Sequence, residues 1–411
     1  MGGGLLQLLA VGRQNENLTG NPQISFFKQL FRRHTNFGKE QFRQDFVGKK
    51  RLGQRIRCEI ERKGDLLGAM YLVFDTAIQD DLAIDRLGHK LIEYIEVEIG
   101  GQTIDTHYGE WLDIWTKLTY TAEKYDLLTK MLDGSTMFNS AAVTESSLSY
   151  VPLLFWFNTN PGLALPLIAL QSHSIIVYLK IKDAKDIRFY GPGLDVRQLS
   201  DTIAAARFIN DVYLYCDYIF LDIEERTWFA NEDHNLLITQ VQSSDKTTMK
   251  SVNNAKNTVQ TVLYFNHPVK ELIWYAYLED FEGLYFYKNK DNSAILDDIE
   301  LIINNTPFTR IHHRNYYTMV QPFQHHTCGG LVRSNSPPAD PGGFYVYSFA
   351  MEPEKAQPTG TLNFSKINDA LLQYSYRSSE PGCTTFVRGF FAINYNVLQL
   401  YNGMAKLKYE V

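Results

Sequence analysis

The sequence predicts an all-β protein built from two tandem antiparallel domains, with a helical insertion in the first. Three observations carry that prediction: short runs alternating at period two, a motif that occurs twice, and an aromatic-rich composition. Of 411 residues, 25 are Tyr and 25 are Phe, 45% are hydrophobic and 21% are charged. That balance suits sheets and leaves little for long surface helices. At roughly 150 residues per domain, the length calls for two large domains.

Taken in order, Thr19-Gly20-Asn21-Pro22 reads as a turn leading into a short aromatic segment, Ile24, Phe26, Phe27, Leu30 and Phe31, which has to dock on something. Arg55 to Ile60 alternates polar residues with Ile and Cys, and Ile95 to Ile99 alternates cleanly, so each is a strand burying one face. From about Tyr108 to Met131, Trp111, Ile114, Trp115, Leu118, Tyr125 and Leu128 recur mostly at helical spacings, and the pattern stops at Asp133-Gly134. Its length predicts an insertion of two shorter helices. Val151 to Leu170 is the most apolar region, but Asn158 to Gly162 and Pro166 interrupt it, which argues against a membrane span and for two strands around a turn. Further strands are predicted over 174–181, 211–221, 258–265, 271–278, 344–350 and 384–397, each bounded by Gly, Pro, Asn or Asp.

The repeat carries more weight than any single strand. Ile95-Glu96-Val97-Glu98-Ile99-Gly100-Gly101-Gln102-Thr103-Ile104 is echoed by Ile299-Glu300-Leu301-Ile302-Ile303-Asn304-Asn305-Thr306-Pro307-Phe308, each a strand, a tight two-residue turn and a strand. Each is followed later by an aromatic stretch read as a strand ending in a proline turn, Phe155-Trp156-Phe157 with Pro161 and Tyr347-Ser348-Phe349 with Pro353. Tyr190-Gly191-Pro192-Gly193 marks the gap between copies and puts the boundary around residues 195 to 210. The resulting division is an N-terminal arm over 1–40, a first domain over 41–200 and a second over 201–411.

The formal net charge of -6 lacks the basic excess that drives affinity for phosphate backbones, so direct nucleic-acid binding is not expected. The first 60 residues are a local exception, with Lys28, Arg32, Arg33, His34, Lys39, Arg43, Lys49, Lys50, Arg51, Arg55 and Arg57 reading as a solvated or partner-facing basic arm, with nucleic-acid contact as the alternative. The four cysteines, Cys58, Cys216, Cys328 and Cys383, are far apart and signal neither a disulfide framework nor a zinc site, which suits a reducing compartment. Met1 to Ala10 lacks the basic start and apolar length of a signal peptide, and Leu6 stands where a myristoylation motif wants Ser or Thr.

No GxSxG, HExxH, P-loop or strand-following GxGxxG occurs, so no enzyme class is signalled. His312-His313 and His325-His326 are the candidate metal ligands, but neighbours on a strand point to opposite faces, leaving one ligand per pair at most. Glu96 and Glu98 share a strand face, a spacing compatible with glycoside hydrolysis, although a solvated sheet face explains them. Trp111, Trp115, Trp156, Trp228 and Trp274 suit core packing or subunit contact better than sugar stacking. Sequons at Asn17, Asn304 and Asn363 are possible glycosylation sites, and Asn304 is also explained by a turn that needs positive φ.

Two blocks point to a family. Leu18 to Lys28 with Phe31-Arg32-Arg33-His34-Thr35-Asn36-Phe37 closely resembles the N-terminus of the major capsid proteins of nucleocytoplasmic large DNA viruses, such as chloroviruses and iridoviruses. Tyr347 to Ile367, through Met351-Glu352-Pro353-Glu354-Lys355-Ala356-Gln357-Pro358-Thr359-Gly360, resembles the family's C-terminal signature, and Phe390 to Tyr401 its closing strand. The resemblance implies two eight-stranded antiparallel jelly rolls in tandem. It also implies homotrimers forming pseudo-hexagonal capsomers, which contact neighbouring capsomers in an icosahedral shell. It puts the arm, with Lys28, Arg32 and Arg33, on the inner side, near minor capsid proteins or an internal membrane. The chain is short for this family, so low outer-surface loops are expected, with assembly in the host cytoplasm, no cofactor and no catalysis. A minor or penton-type capsid protein and a jelly-roll carbohydrate-binding protein stay open as alternatives.

Overall fold

The computed structural model describes residues 2–76, 86–133, 147–190, 196–198, 208–252, 255–279, 295–328, 343–376 and 383–410. Residues 1–37 form one unit and 38–411 another. The first unit carries two short helices, α1 (Gly3–Leu9) and α2 (Glu16–Thr19), and none of its described residues is buried.

The second unit contains both repeats. The first comprises β1 (Phe37–Asp45), β2 (Arg55–Glu59), β3 (Leu66–Thr76), α3 (Leu87–Leu91), β4 (Ile92–Ile99), β5 (Gln102–Tyr108), α4 (Gly109–Thr119), α5 (Ala122–Asp133), β6 (Ser147–Pro152), α6 (Trp156–Thr159), β7 (Ile175–Ile181) and β8 (Ile209–Leu221). After α7 (Ile223–Asn231), the second comprises β9 (His234–Ser243), β10 (Asn257–Val262), β11 (Pro268–Leu278), β12 (Leu296–Ile303), β13 (Thr306–Pro307), α8 (Gln321–His325), β14 (Phe344–Ser348), β15 (Ala370–Tyr376) and β16 (Cys383–Tyr401).

The sheets show the repeat directly. The first copy has the strand orders β1-β8-β3-β6 and β2-β7-β4-β5, and the second has β9-β16-β11-β14 and β10-β15-β12-β13. These are the same permutation, and alternating strands between two facing sheets makes each copy a jelly roll. Both hairpins close through two residues of positive φ, Gly100 (59°) and Gly101 (86°) in the first roll and Asn304 (49°) and Asn305 (60°) in the second, residue types that tolerate the left-handed region. The predicted helical insertion is α4 followed by α5, packed through Trp111, Leu112, Ile114, Leu118, Tyr125, Leu128 and Leu132. β16 is the longest strand at 19 residues and pairs in turn with Thr247–Val252, β9, β11 and Met404–Leu407.

Two expectations are corrected. β8 lies beyond a boundary at 200, yet it pairs with β3 from Ile209 opposite Thr76 to Ile219 opposite Leu66 and so completes the first roll's sheet. The sheets of the two rolls divide after Leu221, at α7. A Gly-Pro-Gly stretch marks a loop as readily as a linker, and Gly191 to Gly193 lie outside the described residues. Phe155-Trp156-Phe157 is not a strand either: β6 ends at Pro152, and the three aromatics enter α6 with their rings buried. Between Val151 and Leu170 the chain makes the end of β6, α6, two 3-10 turns and a two-residue pairing of Leu165–Pro166 with β3, rather than two strands around a turn. Asn158 Nδ2 donates to the Gly68 carbonyl at 2.7 Å and pins this turn to the sheet.

Candidate functional site: the contact between the two rolls

β11 is buried along nearly its whole length. Leu272, Trp274, Ala276 and Leu278 belong to the second roll's own core, whereas Ile273, Tyr275 and Tyr277 join a larger cluster shared with the first roll. A sheet apolar on both faces has to be covered on both. The first roll covers the outer face with β5 and α4. Tyr108 meets Phe391 of β16 at a ring separation of 6.1 Å. Gln240 Nε2 donates to the Ile104 carbonyl, and Val241 N–H donates to Asp105 Oδ1 at 2.9 Å. Further along, Ser172 N–H donates to the Gly403 carbonyl at 2.9 Å and Leu407 N–H to Gln102 Oε1 at 3.3 Å.

Charges are buried at this contact too. Glu110 of α4 pairs with Lys182 at 3.0 Å and, across the rolls, with Lys246 at 3.2 Å. Burial alone would raise its pKa, but the two ammonium groups hold it at about 2. The second cluster centres on His326, just beyond α8. Its Nε2 lies 2.5 Å from Glu271 Oε1 and its Nδ1 lies 3.0 Å from Glu354 Oε1. Ionised carboxylates only accept, so both ring nitrogens donate and the imidazole carries a charge. Burial would lower its pKa, but Glu271 and Glu354 outweigh burial and raise it to about 9. Beside it, burial lowers the Lys270 amine to about 8 while its Nζ donates to the Pro353 carbonyl at 2.7 Å. Trp115 of α4 meets the His326 ring edge-on at 6.0 Å, and Cys328 N–H donates to the Leu118 carbonyl at 2.9 Å, so the cluster abuts the first roll.

The residues singled out from sequence do not converge. Lys28, Arg32 and Arg33 are exposed on the arm. Asn17, Asn304 and Asn363 are exposed, with Asn304 Oδ1 accepting from the N–H groups of Asn368 and Asp369 and Asn363 Oδ1 accepting from Ser365 N–H. Glu96 pairs with Arg55 on the sheet surface. His312 stacks on Tyr316, and His325 Nδ1 meets the Met351 carbonyl. Among the described residues, no group of three potential ligands could hold a metal ion. Trp111, Trp156 and Trp274 are core residues, while Trp228 is exposed. Cys58, Cys216 and Cys328 are free thiols; the Cys383 side chain lies outside the described residues. Sequence reasoning missed Glu110, Lys270, Glu271 and Glu354.

Relatives settle the family. Residues 25–222 match the family described as major capsid protein N-terminus, and residues 225–406 match the large eukaryotic DNA virus major capsid protein. A major capsid protein of Pyramimonas orientalis virus is 40% identical over 432 aligned residues, covering 100% of both chains. The chain belongs to the major capsid protein family of large eukaryotic DNA viruses. Another member, from Paramecium bursaria Chlorella virus 1, is 33% identical and is also covered completely. The crystal structure of PBCV-1 VP54, fitted into a reconstruction of the virophage Sputnik, superposes with a TM-score of 0.76 at 28% identity, covering 94% of this chain and 100% of that one. The Faustovirus major capsid protein, at 13% identity and a TM-score of 0.65, shares the fold. The two family matches meet between residues 222 and 225, at the start of α7, where the sheets divide. A double jelly-roll capsid protein of a large DNA virus is thus a structural component of the virion shell.

Proposed function

We propose that this major capsid protein works as a homotrimer whose six jelly rolls form a pseudo-hexagonal capsomer, and that it catalyses nothing. The observation that carries this reading is the identical strand order of the two rolls. Three copies then offer six similar walls, and weak lateral contacts between neighbouring capsomers act together across a shell. The arm, with Lys28, Arg32 and Arg33 exposed, faces inward and is held by minor capsid proteins beneath the shell, close to any internal membrane. Its exposed Phe26, Phe27 and Phe31 support such a partner, because large apolar groups of this density are seldom left in water. Assembly takes place in the host cytoplasm, and Asn304 and Asn363 are the positions open to glycans.

Light scattering on the purified protein at two ionic strengths tests the central claim. The expected result is a stable species near three times 47.3 kDa, with hexagonal outlines in electron micrographs. A stable monomer at both ionic strengths would remove it.

A further inference from the structure

Beside the His326 cluster, a cavity of about 200 Å³ lies between α4 and α6 of the first roll and β9 and β16 of the second. That is room for roughly six waters, or for one small ligand of the same volume. Its walls are largely aromatic. Trp111, Trp115 and Trp156 line it from the first roll and Tyr395 from the second, so three of the chain's five tryptophans meet there. Trp111 and Trp115 stack at 5.8 Å with their planes 11° apart.

The polar atoms of these aromatic walls are donors in want of acceptors. Trp111, Trp156 and Tyr395 are each more than nine-tenths buried, and among the described residues neither the two indole N–H groups nor the phenol O–H has a partner. Buried donors are nearly always satisfied, so three around one cavity call for an acceptor that is not part of the chain. Lys270 adds a charge. It is 5% exposed, and its Nζ lies 5.8 Å from the Trp115 ring centre and 5.5 Å from that of Tyr395. That Nζ donates to the neutral carbonyl of Pro353, which leaves two of its three N–H bonds, among the described residues, for an incoming acceptor. The carboxylates that act on it, Glu271 and Glu354, are both bonded to His326, and Asp105, also on the cavity wall, is paired with His107.

An aromatic cavity with a few donors, one of them charged, matches an anion with an apolar body. We propose that this cavity binds a small monocarboxylate, its carboxylate on Lys270 with Tyr395 and the indole N–H groups as further donors, and its apolar part against the three tryptophans. Because both rolls contribute walls, the occupant clamps one roll onto the other. The inference does not depend on the capsomer reading.

The test titrates the full chain with para-fluorobenzoate and with the uncharged para-fluorobenzamide, following ligand fluorine NMR and protein tryptophan fluorescence. The benzoate is expected to bind, to change the tryptophan emission, and to bind at least about tenfold more tightly than the amide. Lys270→Met should bring the benzoate down to the level of the amide. Ala356→Trp, at an exposed loop position on the cavity wall, should exclude both, and it carries the test if Lys270→Met does not fold. No binding by the wild-type chain, an amide that binds as tightly as the benzoate, or full benzoate affinity in Ala356→Trp would each overturn the inference. So would displacement of the benzoate by equimolar inorganic phosphate, which would leave the tryptophans without a part in recognition.

Discussion

The central strands β3 and β11 occupy equivalent places in the two rolls, yet their outward positions read Ala69, Tyr71, Val73 and Asp75 in one and Glu271, Ile273, Tyr275 and Tyr277 in the other. The first set is mostly half open, and the second is buried throughout. A single topology therefore serves two duties. Residues facing the inside of each sandwich specify the roll, and residues facing outward decide whether that roll is covered by its own chain. Glu271 stands where the first roll has Ala69, so only the second roll can build the cluster around His326.

Substitutions at these positions probe the difference. Removing the imidazole is expected to do most damage: His326→Ala leaves Glu271 buried without its cation and should cost about 3–5 kcal/mol in urea unfolding. A loss below about 1 kcal/mol would show that the cluster is an incidental ion pair. Ile273→Ala opens a cavity between the rolls and should cost about 2–4 kcal/mol. Tyr71→Ala, measured at a concentration too low for association, should cost under about 1 kcal/mol; equal losses would break the contrast between the two faces.

Titration sharpens the same contrast. The His326 pKa rises from 6.5 to about 9 on folding, so its contribution is complete below pH 6.5 and is lost as pH rises through 9. Lys270 has the opposite sign: its pKa falls from 10.5 to about 8, so stability is regained between those values as pH rises. The expected profile is a dip of about 2 kcal/mol near pH 8–9. Lys270→Met should abolish the recovery on the alkaline side, and a profile flat from pH 6 to 10 in both proteins would refute the assignment.

The smallest effects belong to the hairpins. Asn305→Gly should change stability by less than about 0.5 kcal/mol, because both residues tolerate its positive φ. Asn304→Gly should cost about 1 kcal/mol through the lost bonds to Asn368 and Asp369. Equal responses would mean that those side-chain bonds are idle.

Much of the fold was legible where local pattern and tertiary outcome agree. The two hairpins show in their alternation and turn residues, and α4 and α5 in their apolar spacing. Phe155 to Phe157 misled because an aromatic run has no period of its own, and its one helical turn follows from the end of β6. The boundary misled because only pairing over more than a hundred residues of chain reveals that β8 belongs with β3. The His326 cluster was illegible for the same reason: its partners stand 55 and 28 residues away. The histidine was visible as a candidate ligand, but nothing near it in sequence announces the carboxylates.

β16 has a mechanical consequence. At 3.3 Å per residue, its 19 residues run about 60 Å along the wall of the second roll, bonded on both edges to four other strands. Force applied along the strand loads these hydrogen bonds together in shear instead of opening them one at a time. Separating the second roll's sheet along that direction therefore requires many backbone hydrogen bonds to break at once.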